Sequence, residues 1–518
     1  MSDDLEADLA LQLAAPSPSL PEYWIARMSI MNETDLRTHW AIMLSEESIP
    51  PTTLDSVFQW LRERLGVRMG AIRSEFQQRL REINADEPET HGDWARWYLE
   101  GLPPNFAADG MFWIFDDEST IFRPCALEFI ANILSAQNGK NCTRDGDYRA
   151  IAGRAYMIRA QETKEQQLEP MVGVAAGSIF YRMTPDGIVE ESLAMEHRAR
   201  FKIEADPDES EGLFTKFIAE IADEDQVKLL RQHFAGVLFG VQWMMQKVVL
   251  WYGAGATGKS TLQSILQVMV PDELISSVSP KDWDKEYHRA AMAGMVLNVV
   301  GEVDERSPLG AEFKNITGGG KVNARHPTHQ PFSYVSKAAQ VFCSNYLPPS
   351  TDKSDAFWRR WSVVEFNNVK EEKARDPALA AKIRSKELGC VLAFALKGAQ
   401  EIVDASTEGN WRFRTTARQA DIETQWTLEI NSVAAFLADE DALVISEECK
   451  VGKTQLFKEY LEWSRDNNMR PLGRNKFNRE MSENEGWKKG IRIGRNEVSG
   501  VRVWIGVGLL AENQGESF

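Results

Sequence analysis

The chain has 518 residues, of which 43% are hydrophobic and 26% are charged, and its 59 basic and 77 acidic residues give a net charge of −18. This composition is typical of a globular protein with roughly three domains. The negative net charge excludes a protein held on DNA or on an anionic membrane by its overall field, so a nucleic-acid site would have to be a local basic surface. The five cysteines are far apart and include no CxxC pair, which argues against a zinc site or a disulfide framework.

The first residues are acidic where a signal peptide would be basic. No stretch approaches the roughly 18 consecutive apolar residues that a membrane helix needs. We therefore expect a cytoplasmic protein with no membrane partner. The proline-rich segment 15–21 predicts an extended linker after the acidic start.

Residues 22–84 predict helices, and we assign 1–105 to a helical N-terminal domain. Apolar side chains recur at spacings of three and four, which is the pattern of a buried helix face, at Leu54, Val57, Phe58, Leu61 and Leu65. Five tryptophans are expected in the core rather than on a stacking surface, namely Trp24, Trp40, Trp60, Trp94 and Trp97. Breaks at 84–92 and 101–104 set the end of this domain.

The second predicted domain, 106–245, mixes short β-like runs with turns and ends in a helix over 227–246. Asp116 and Asp117 follow the apolar run 111–115 and could be taken for metal-binding carboxylates. Nothing near them in the sequence supplies a third ligand or a histidine, so we favour the alternative, a polar turn at the end of a strand.

The segment after residue 252 fits the phosphate-loop pattern GxxxxGK[ST] at every fixed position. A β-like run precedes it and an amphipathic helix follows, which is the context that this pattern requires. Backbone N–H groups and the helix N-terminus would hold a polyphosphate, Lys259 would neutralise the β and γ oxygens, and Ser260 would ligate Mg²⁺. The residues predicted to bind ATP are Gly253, Ala254, Gly255, Ala256, Thr257, Gly258, Lys259, Ser260 and Thr261.

An apolar run over 295–303 ends in acidic residues, as a Walker B strand does. Such a strand carries a carboxylate to the edge of the sheet where the metal is held. We favour Glu302 as the Mg²⁺ ligand and expect Asp304 and Glu305 near the attacking water, while the choice among the three stays open. Because the strands and helices alternate in this region, we expect a mostly parallel sheet.

A third buried run, 338–344, ends at Asn345, which would orient the attacking water. Arg359 and Arg360 then precede another strand, and one of them would reach the nucleotide of a neighbouring subunit and stabilise transition-state charge. The alternative is a pair of surface arginines without a role in catalysis. Residues 371–404 predict helices that would close over the nucleotide.

The last predicted domain, 426–518, has the order helix, turn, helix and strand pair that is typical of a winged helix. Between residues 470 and 502 there are nine basic and four acidic residues, a local reversal of the overall charge. We expect Arg474, Lys476 and Arg479 to contact DNA. A winged helix that binds protein is the alternative. The segment 451–454 imitates a phosphate loop, but Glu447 stands at the first glycine position, so we predict a helix start there.

Together these motifs resemble the superfamily 3 helicases, especially the branch of poxvirus and phage or plasmid primase-helicases. The likeness covers roughly 170–510. It rests on the spacing of the phosphate loop, Glu302 and Asn345, on the segments 313–325 and 345–348, and on the arginine pair. In one departure, Gly320 stands where many relatives have Asp.

The resemblance implies an AAA+-like ATPase core over 246–425 that forms a hexameric ring around one nucleic-acid strand, with nucleotide between subunits. It also implies that the turn from Lys321 to His329 is a β-hairpin that projects into the channel. The sequence agrees, since Lys321, Arg325, His326 and His329 concentrate cations in one short segment of an acidic chain.

These observations predict an α/β protein that acts as an ATP- and Mg²⁺-dependent DNA helicase of a virus or mobile element during replication. Single-stranded or forked DNA, other copies of the chain and a separate primase or replication protein are the expected partners. We expect no primase activity from this chain. The alternatives are an initiator or loader that uses ATP only as an assembly switch, and a P-loop kinase that phosphorylates a small molecule.

Overall fold

The computed structural model describes residues 20–45, 49–83, 90–137, 145–166, 169–303, 309, 311–326, 331–350, 355–371, 375–406, 409–483, 491–495 and 502–510. Their contacts divide the chain into two compact units, Met1–Trp97 and Tyr98–Phe518. Within the described ranges, no helix has both the length and the apolar character needed to cross a bilayer.

The described residues of the first unit are mainly helical, as the sequence predicts. Its helices and the one that crosses the division are α1 (Pro21–Ser29), α2 (Glu33–Ser45), α3 (Pro51–Leu65), α4 (Met69–Ile83) and α5 (His91–Gly101). The face of α3 that carries Val57, Phe58 and Leu61 packs against Trp24 and Trp40 in one apolar core. The prediction for Trp97 is wrong, because 47% of this residue is exposed.

The second unit begins with a small sheet, followed along the chain by a pair of helices and a second small sheet. The elements are β1 (Asn105–Ala108), β2 (Met111–Asp116), β3 (Ile121–Cys125), α6 (Leu127–Gln137), α7 (Asp145–Glu165), β4 (Gly173–Ala176), β5 (Ile179–Thr184), β6 (Gly187–Ser192) and β7 (Lys202–Ile203). The first sheet has the order β1-β2-β3 and the second β6-β5-β4-β7. The two helices were not predicted. The apolar residues of α7 lie on all sides of the helix, so it lacks the periodic stripe that reveals a helix in a sequence.

Asp116 is the last residue of β2 and is bonded to the polar turn that follows the strand, as expected. Its carboxylate accepts hydrogen bonds from Ser119 Oγ at 2.6 Å and from Arg123 Nε at 2.7 Å. These bonds stabilise the charged form and lower the pKa of Asp116 to about 2. The group thus closes a turn within its own sheet.

Two helices then lead to the core, α8 (Leu213–Ile221) and α9 (Glu224–Leu238). Asp223 caps α9, since its carboxylate accepts from the N–H of Gln226 at 2.9 Å. The predicted helix over 227–246 is too long at its C-terminal end. Gly240 adopts a φ of +69°, a left-handed conformation that ends helices.

The core is a five-stranded parallel sheet with helices around it, which confirms the predicted parallel sheet. Its elements are β8 (Val248–Tyr252), α10 (Lys259–Gln267), β9 (Ile275–Ser276), α11 (Glu286–Ala290), β10 (Leu297–Val300), α12 (Ala311–Thr317), β11 (Lys321–Ala324), β12 (Phe332–Val335), β13 (Ala339–Ser344), α13 (Asp355–Trp358) and β14 (Trp361–Glu365). The strand order is β14-β8-β13-β10-β9, and β11 pairs with β12 in a separate hairpin.

A buried polar network fixes the register of this sheet. Asn298 in β10 donates to Gln340 Oε1 of β13 at 2.8 Å, and its own oxygen accepts from Ser276 Oγ of β9 at 2.9 Å. Asn298 is fully buried, so any shift in pairing would leave these groups without partners. The network therefore aligns the C-terminal ends of the strands, where the phosphate loop and the acidic segment begin.

The chain continues through α14 (Leu379–Lys386), α15 (Leu388–Asp404) and α16 (Ala417–Ile430). The first two confirm the helices predicted within 371–404. Helix α16 crosses the predicted boundary between residues 425 and 426. Its Trp426 packs against Trp361 of the core sheet, with 5.0 Å between ring centroids.

The C-terminal part contains α17 (Ser432–Ala438), β15 (Leu443–Gly452), α18 (Lys453–Asp466), α19 (Arg474–Glu483), β16 (Arg492–Arg495) and β17 (Arg502–Leu509). The strands form an antiparallel sheet in the order β15-β17-β16. Phe436, Tyr460, Phe477 and Trp504 share its core. As predicted, a helix begins at Lys453, directly after the strand that ends at Gly452.

Candidate nucleotide site

The phosphate-loop segment joins the C-terminal end of β8 to the N-terminus of α10. Its backbone takes positive φ values at Gly253 (+142°), Ala256 (+65°) and Gly258 (+97°). A Cβ on Gly253 would collide with the carbonyl oxygen of Phe366, so glycine is required there by space as well as by conformation. The loop is therefore held in a curled form by its own sequence and by the chain beside it.

Lys259 lies in the middle of this curl. Its Nζ donates to the carbonyl oxygens of Gly253 and Ala254 at 2.6 and 2.7 Å and contacts Thr257 Oγ1 at 3.3 Å. Burial lowers the pKa of Lys259, whereas the nearby Cys343 and Glu302 favour its charged form. The ammonium group is thus preorganised at the loop and is electrostatically linked to the predicted Walker B acid.

The open face of the loop is formed by Ala254, Gly255 and Ser260, which are exposed. Thr257 is buried and its hydroxyl donates to Ala254 O at 2.9 Å, so it stiffens the curl instead of facing outward. Thr261 is half-buried in the first turn of α10. Helix α10 presents its N-terminus at this face, which suits an anionic ligand. The groups present therefore fit a polyphosphate with a divalent cation near Ser260.

Glu302 follows β10 at the same edge of the sheet. Strand β13 lies between β8 and β10, so β8 and β10 are separated by two strand spacings, or about 10 Å. The register aligns Val300 with Phe342 and Phe342 with Leu250, which brings Glu302 level with the end of β8. Its side chain is exposed and can take part in metal binding. Asp304 and Glu305 lie outside the described residues.

Asn345 is the first residue after β13, the strand between the phosphate loop and Glu302. It is exposed at the same edge. The next residue, Tyr346, donates from its hydroxyl to Val303 O, so it ties the end of β13 to the segment that follows Glu302. Asn345 therefore lies between the two parts of the candidate site.

The two arginines that precede β14 differ sharply in their exposure to solvent. Arg360 is buried, and its guanidinium donates to the backbone oxygens of Ala356 and Lys314 of its own chain. Arg359 is exposed. Because Trp361 pairs with Val248 at the start of β8, both arginines lie at the sheet edge opposite the phosphate loop, about 16 Å away along the strand. Arg359 therefore cannot act on a nucleotide in its own chain.

The chain after β14 also shapes the loop, and the sequence analysis did not identify it. Phe366 N donates to Tyr252 O at 2.7 Å, and Lys370 N donates to Ala256 O at 2.9 Å. The Lys370 side chain pairs with Glu220 at 2.6 Å. No local pattern marks these residues, since their role depends on the pairing of β14 with β8.

The predicted hairpin is present as the antiparallel pair β11 and β12. Lys321 and His326 are exposed, Arg325 is half-buried, and the ring of His326 stacks on Phe332 with 5.5 Å between centroids. His329 lies outside the described residues. The hairpin therefore carries basic groups beside an aromatic surface.

Helix α11 supports the hairpin through Arg289. The Arg289 guanidinium donates to Asn323 O at 2.6 Å and to Trp283 O at 2.7 Å, and Tyr334 donates to Arg289 O at 2.5 Å. At the base of the hairpin, a Cβ on Gly320 would overlap Asn315 Oδ1. The glycine that departs from the family pattern thus leaves room for the Asn315 side chain, which a larger residue at this position would displace.

The three basic residues predicted on the second C-terminal helix are all exposed on α19. Phe477 and Met481 bury the opposite face, so Lys476 and Arg479 are directed away from the core. Arg474 donates to Thr454 Oγ1 at 2.6 Å. In the adjacent sheet, Arg495 and Arg502 are exposed and lie directly opposite each other in register, a like-charge pair that an anion would stabilise.

Residues 251–360 match DUF5906, a family of unknown function. The chain is also similar to the apo structure of the NrS-1 C-terminal region, with 14% identity over 82% of this chain and 100% of that one and a TM-score of 0.42. The A form of that region gives the same values in one structure. In another it gives 12% identity, 81% and 100% coverage and a TM-score of 0.39. TM-scores of this size do not establish a shared fold.

Proposed function

We propose that the protein is an ATP-driven DNA helicase or translocase that works as a ring of identical subunits. The main support is the separation of the site into two parts. Lys259, Ser260 and Glu302 lie at one edge of the core sheet, and Arg359 lies at the other. In this arrangement Arg359 can act only on the nucleotide of a neighbouring subunit, as in a ring of identical subunits whose nucleotide sites lie between subunits.

Each group would then have one task. Lys259 would bind the β and γ oxygens of ATP, and Ser260 and Glu302 would hold Mg²⁺, which when bound neutralises phosphate charge. Asn345 would orient the attacking water. Arg359 of the adjacent subunit would stabilise the charge that develops on the γ-phosphoryl group.

The DNA contacts would come from two basic surfaces of an otherwise acidic chain. The hairpin offers Lys321, Arg325 and His326. It is linked directly to β13, so a movement of Asn345 at the end of β13 would be transmitted to the bound DNA. The C-terminal surface offers Lys476 and Arg479 beside the Arg495–Arg502 pair, in an arrangement of helices and antiparallel strands that suits a winged helix. A role in the replication of a virus or mobile element follows from the sequence resemblance.

Strand displacement on forked DNA tests the proposal. We expect hydrolysis of ATP that is stimulated by single-stranded DNA, together with displacement of the annealed strand. DNA-stimulated hydrolysis without displacement would favour the initiator or loader, and hydrolysis that DNA does not affect would favour a P-loop kinase. A chain that stays monomeric with ATP analogue and DNA would refute the shared site.

A further inference from the structure

We propose that a cavity at the opposite edge of the core sheet binds a small ligand with an apolar body and one anionic group. The cavity has a volume of about 360 Å³ and lies among β4, the end of α9 and the starts of β10 and β13. This volume is at the lower end of the range of small-molecule sites. The phosphate loop lies at the other end of the strands, so this site is separate from the one described above.

The cavity has an apolar floor and a partly open mouth. Val174, Phe180, Val237 and Leu238 line the floor and are at most 1% exposed. At the mouth, Met171 is 39% exposed and Met244 is 46% exposed. Flexible thioether side chains at an open rim adapt to the shape of an apolar ligand. The floor would therefore take the apolar body, and the rim would close around it.

The anionic group is suggested by Arg200, which also lines the cavity. Only 9% of its side chain is exposed, and its guanidinium lies 4.2 Å from the ring centroid of Trp113. Its nearest carboxylate oxygen, on Asp109, is 3.6 Å away, longer than the roughly 2.7–2.9 Å of a charge-assisted hydrogen bond. The guanidinium therefore contributes positive charge to the lining of the cavity, which favours an anionic ligand group.

A second cation lies in the same lining. Lys337 Nζ pairs with Glu169 at 2.6 Å and lies 5.5 Å from the ring centroid of Trp243. The carboxylate side chain of Glu169 is 62% exposed, so it can turn into water when a ligand anion takes its place. Arg200 and Lys337 would together favour an anion over a neutral molecule of the same shape.

The position of Lys337 gives the cavity a connection to the hairpin. It lies between the end of β12 at Val335 and the start of β13 at Ala339. A ligand bound to Lys337 would hold this link in one conformation and so act on the base of the hairpin. Binding itself does not depend on the proposed helicase activity.

Two fluorescent probes test the inference on the full chain. 8-Anilinonaphthalene-1-sulfonate has an aromatic body and one anionic group, and N-phenyl-1-naphthylamine has the same body without the charge. We expect one sulfonate probe per chain, with energy transfer from tryptophan, and an affinity at least about fivefold higher than that of the neutral probe, the gain from roughly 1 kcal/mol of charge interaction. Several weak sites, or equal affinity for the two probes, would overturn the proposal.

Variants at the mouth localise the binding without changing the buried floor. Met244→Glu should bind the sulfonate probe at least about fivefold more weakly than Met244→Lys does, whereas the two variants should bind the neutral probe equally, because both lose the same thioether contact. Lys337→Gln should act like Met244→Glu, and Lys382→Gln, a surface ion-pair lysine on α14, should change nothing. Arg200→Gln removes the buried cation but risks unfolding, so the Met244 pair decides the outcome. Equal sulfonate affinity in Met244→Glu and Met244→Lys would place the probe elsewhere and refute the site.

Discussion

The backbone N–H of Val248 donates to the carbonyl oxygen of Arg360 at 2.7 Å, which fixes the arginine pair at the start of β8. The same strand ends at Tyr252, directly before the phosphate loop. One strand therefore separates the candidate nucleotide-binding loop from the arginines, and the length of β8 keeps the loop and the arginines of one chain apart. This relationship underlies the proposal that neighbouring subunits share each nucleotide.

Lys259→Ala is expected to reduce ATP hydrolysis at least about 100-fold, because the variant loses the cation at the centre of the loop. Hydrolysis can be followed by phosphate release with and without single-stranded DNA. Lys382→Ala is a suitable control, since Lys382 pairs with Asp376 on the surface. Retention of wild-type hydrolysis by Lys259→Ala would remove the phosphate loop from the reaction.

Arg359→Ala should also be inactive alone, yet a mixture with Lys259→Ala should regain hydrolysis. In mixed rings, the intact loop of an Arg359→Ala subunit can meet the intact Arg359 of a Lys259→Ala neighbour. The measurement is phosphate release against the ratio of the two variants. If no ratio restores activity although mixed oligomers form, Arg359 does not act between subunits.

The variant Arg360→Ala distinguishes the role of Arg360 from that of Arg359. The Arg360 guanidinium is buried on backbone oxygens, so we expect a loss of roughly 1–3 kcal/mol in unfolding free energy. Thermal unfolding of Arg359→Ala, by contrast, should match that of the wild type. The opposite pattern would exchange the roles of the two residues.

Arg325→Ala should leave ATP hydrolysis in place and reduce strand displacement, because the hairpin would lose a phosphate contact. Both activities are measured on the same forked DNA over a range of salt concentrations. Arg384→Ala serves as the matched control, because Arg384 is exposed on the surface of α14. Unchanged displacement by Arg325→Ala would exclude this hairpin residue from the mechanism.

Gly320→Ala should destabilise the hairpin by roughly 1–3 kcal/mol, because the added methyl group overlaps Asn315 Oδ1. Asn315→Ala removes this overlap, so the double variant should lose less stability than the sum of the single ones. Thermal unfolding of the four proteins gives the coupling. Strict additivity would contradict the assigned contact.

Because His233 is buried, we expect the free energy of unfolding to decrease at acidic pH. His233 is buried between Ser362 Oγ at 2.8 Å and Trp251 Nε1 at 3.3 Å, and burial lowers its pKa to about 3. The unfolded chain, with a histidine pKa near 6.5, binds the proton more readily. The contribution of neutral His233 to the free energy of unfolding is therefore fully present above about pH 6.5. It decreases by about 1.4 kcal/mol per pH unit as the pH falls from 6.5 toward 3.

Calorimetry from pH 7 to pH 5 measures this loss, and His233→Gln should flatten that part of the dependence. His39→Gln is the control, because His39 is exposed. An unchanged pH dependence in His233→Gln would assign the acid sensitivity to other groups.

Much of the fold was evident from local patterns. The helices of the first unit, the parallel sheet and the helices within 371–404 each have a periodic apolar pattern or an unbroken buried run, so a short window of sequence contains the signal. Helix α7 lacks such a stripe and was missed. The end of α9 was misplaced, since its stop depends on one glycine among apolar residues that could continue a helix.

The sequence by itself determined the groups that are contiguous in the chain, above all the run from Gly253 to Ser260, because the spacing of its glycines, Lys259 and Ser260 is contained in one short stretch of sequence. The tertiary structure alone decided which distant residues meet. It buried Arg360 and left Arg359 exposed, and it brought Phe366 and Lys370 to the loop. It also placed Arg289 beside the hairpin and Arg200 in the lining of a cavity. The physical reason is that strand order and burial arise from long-range packing, and two arginines that are adjacent in sequence carry no local sign of which one the core will enclose.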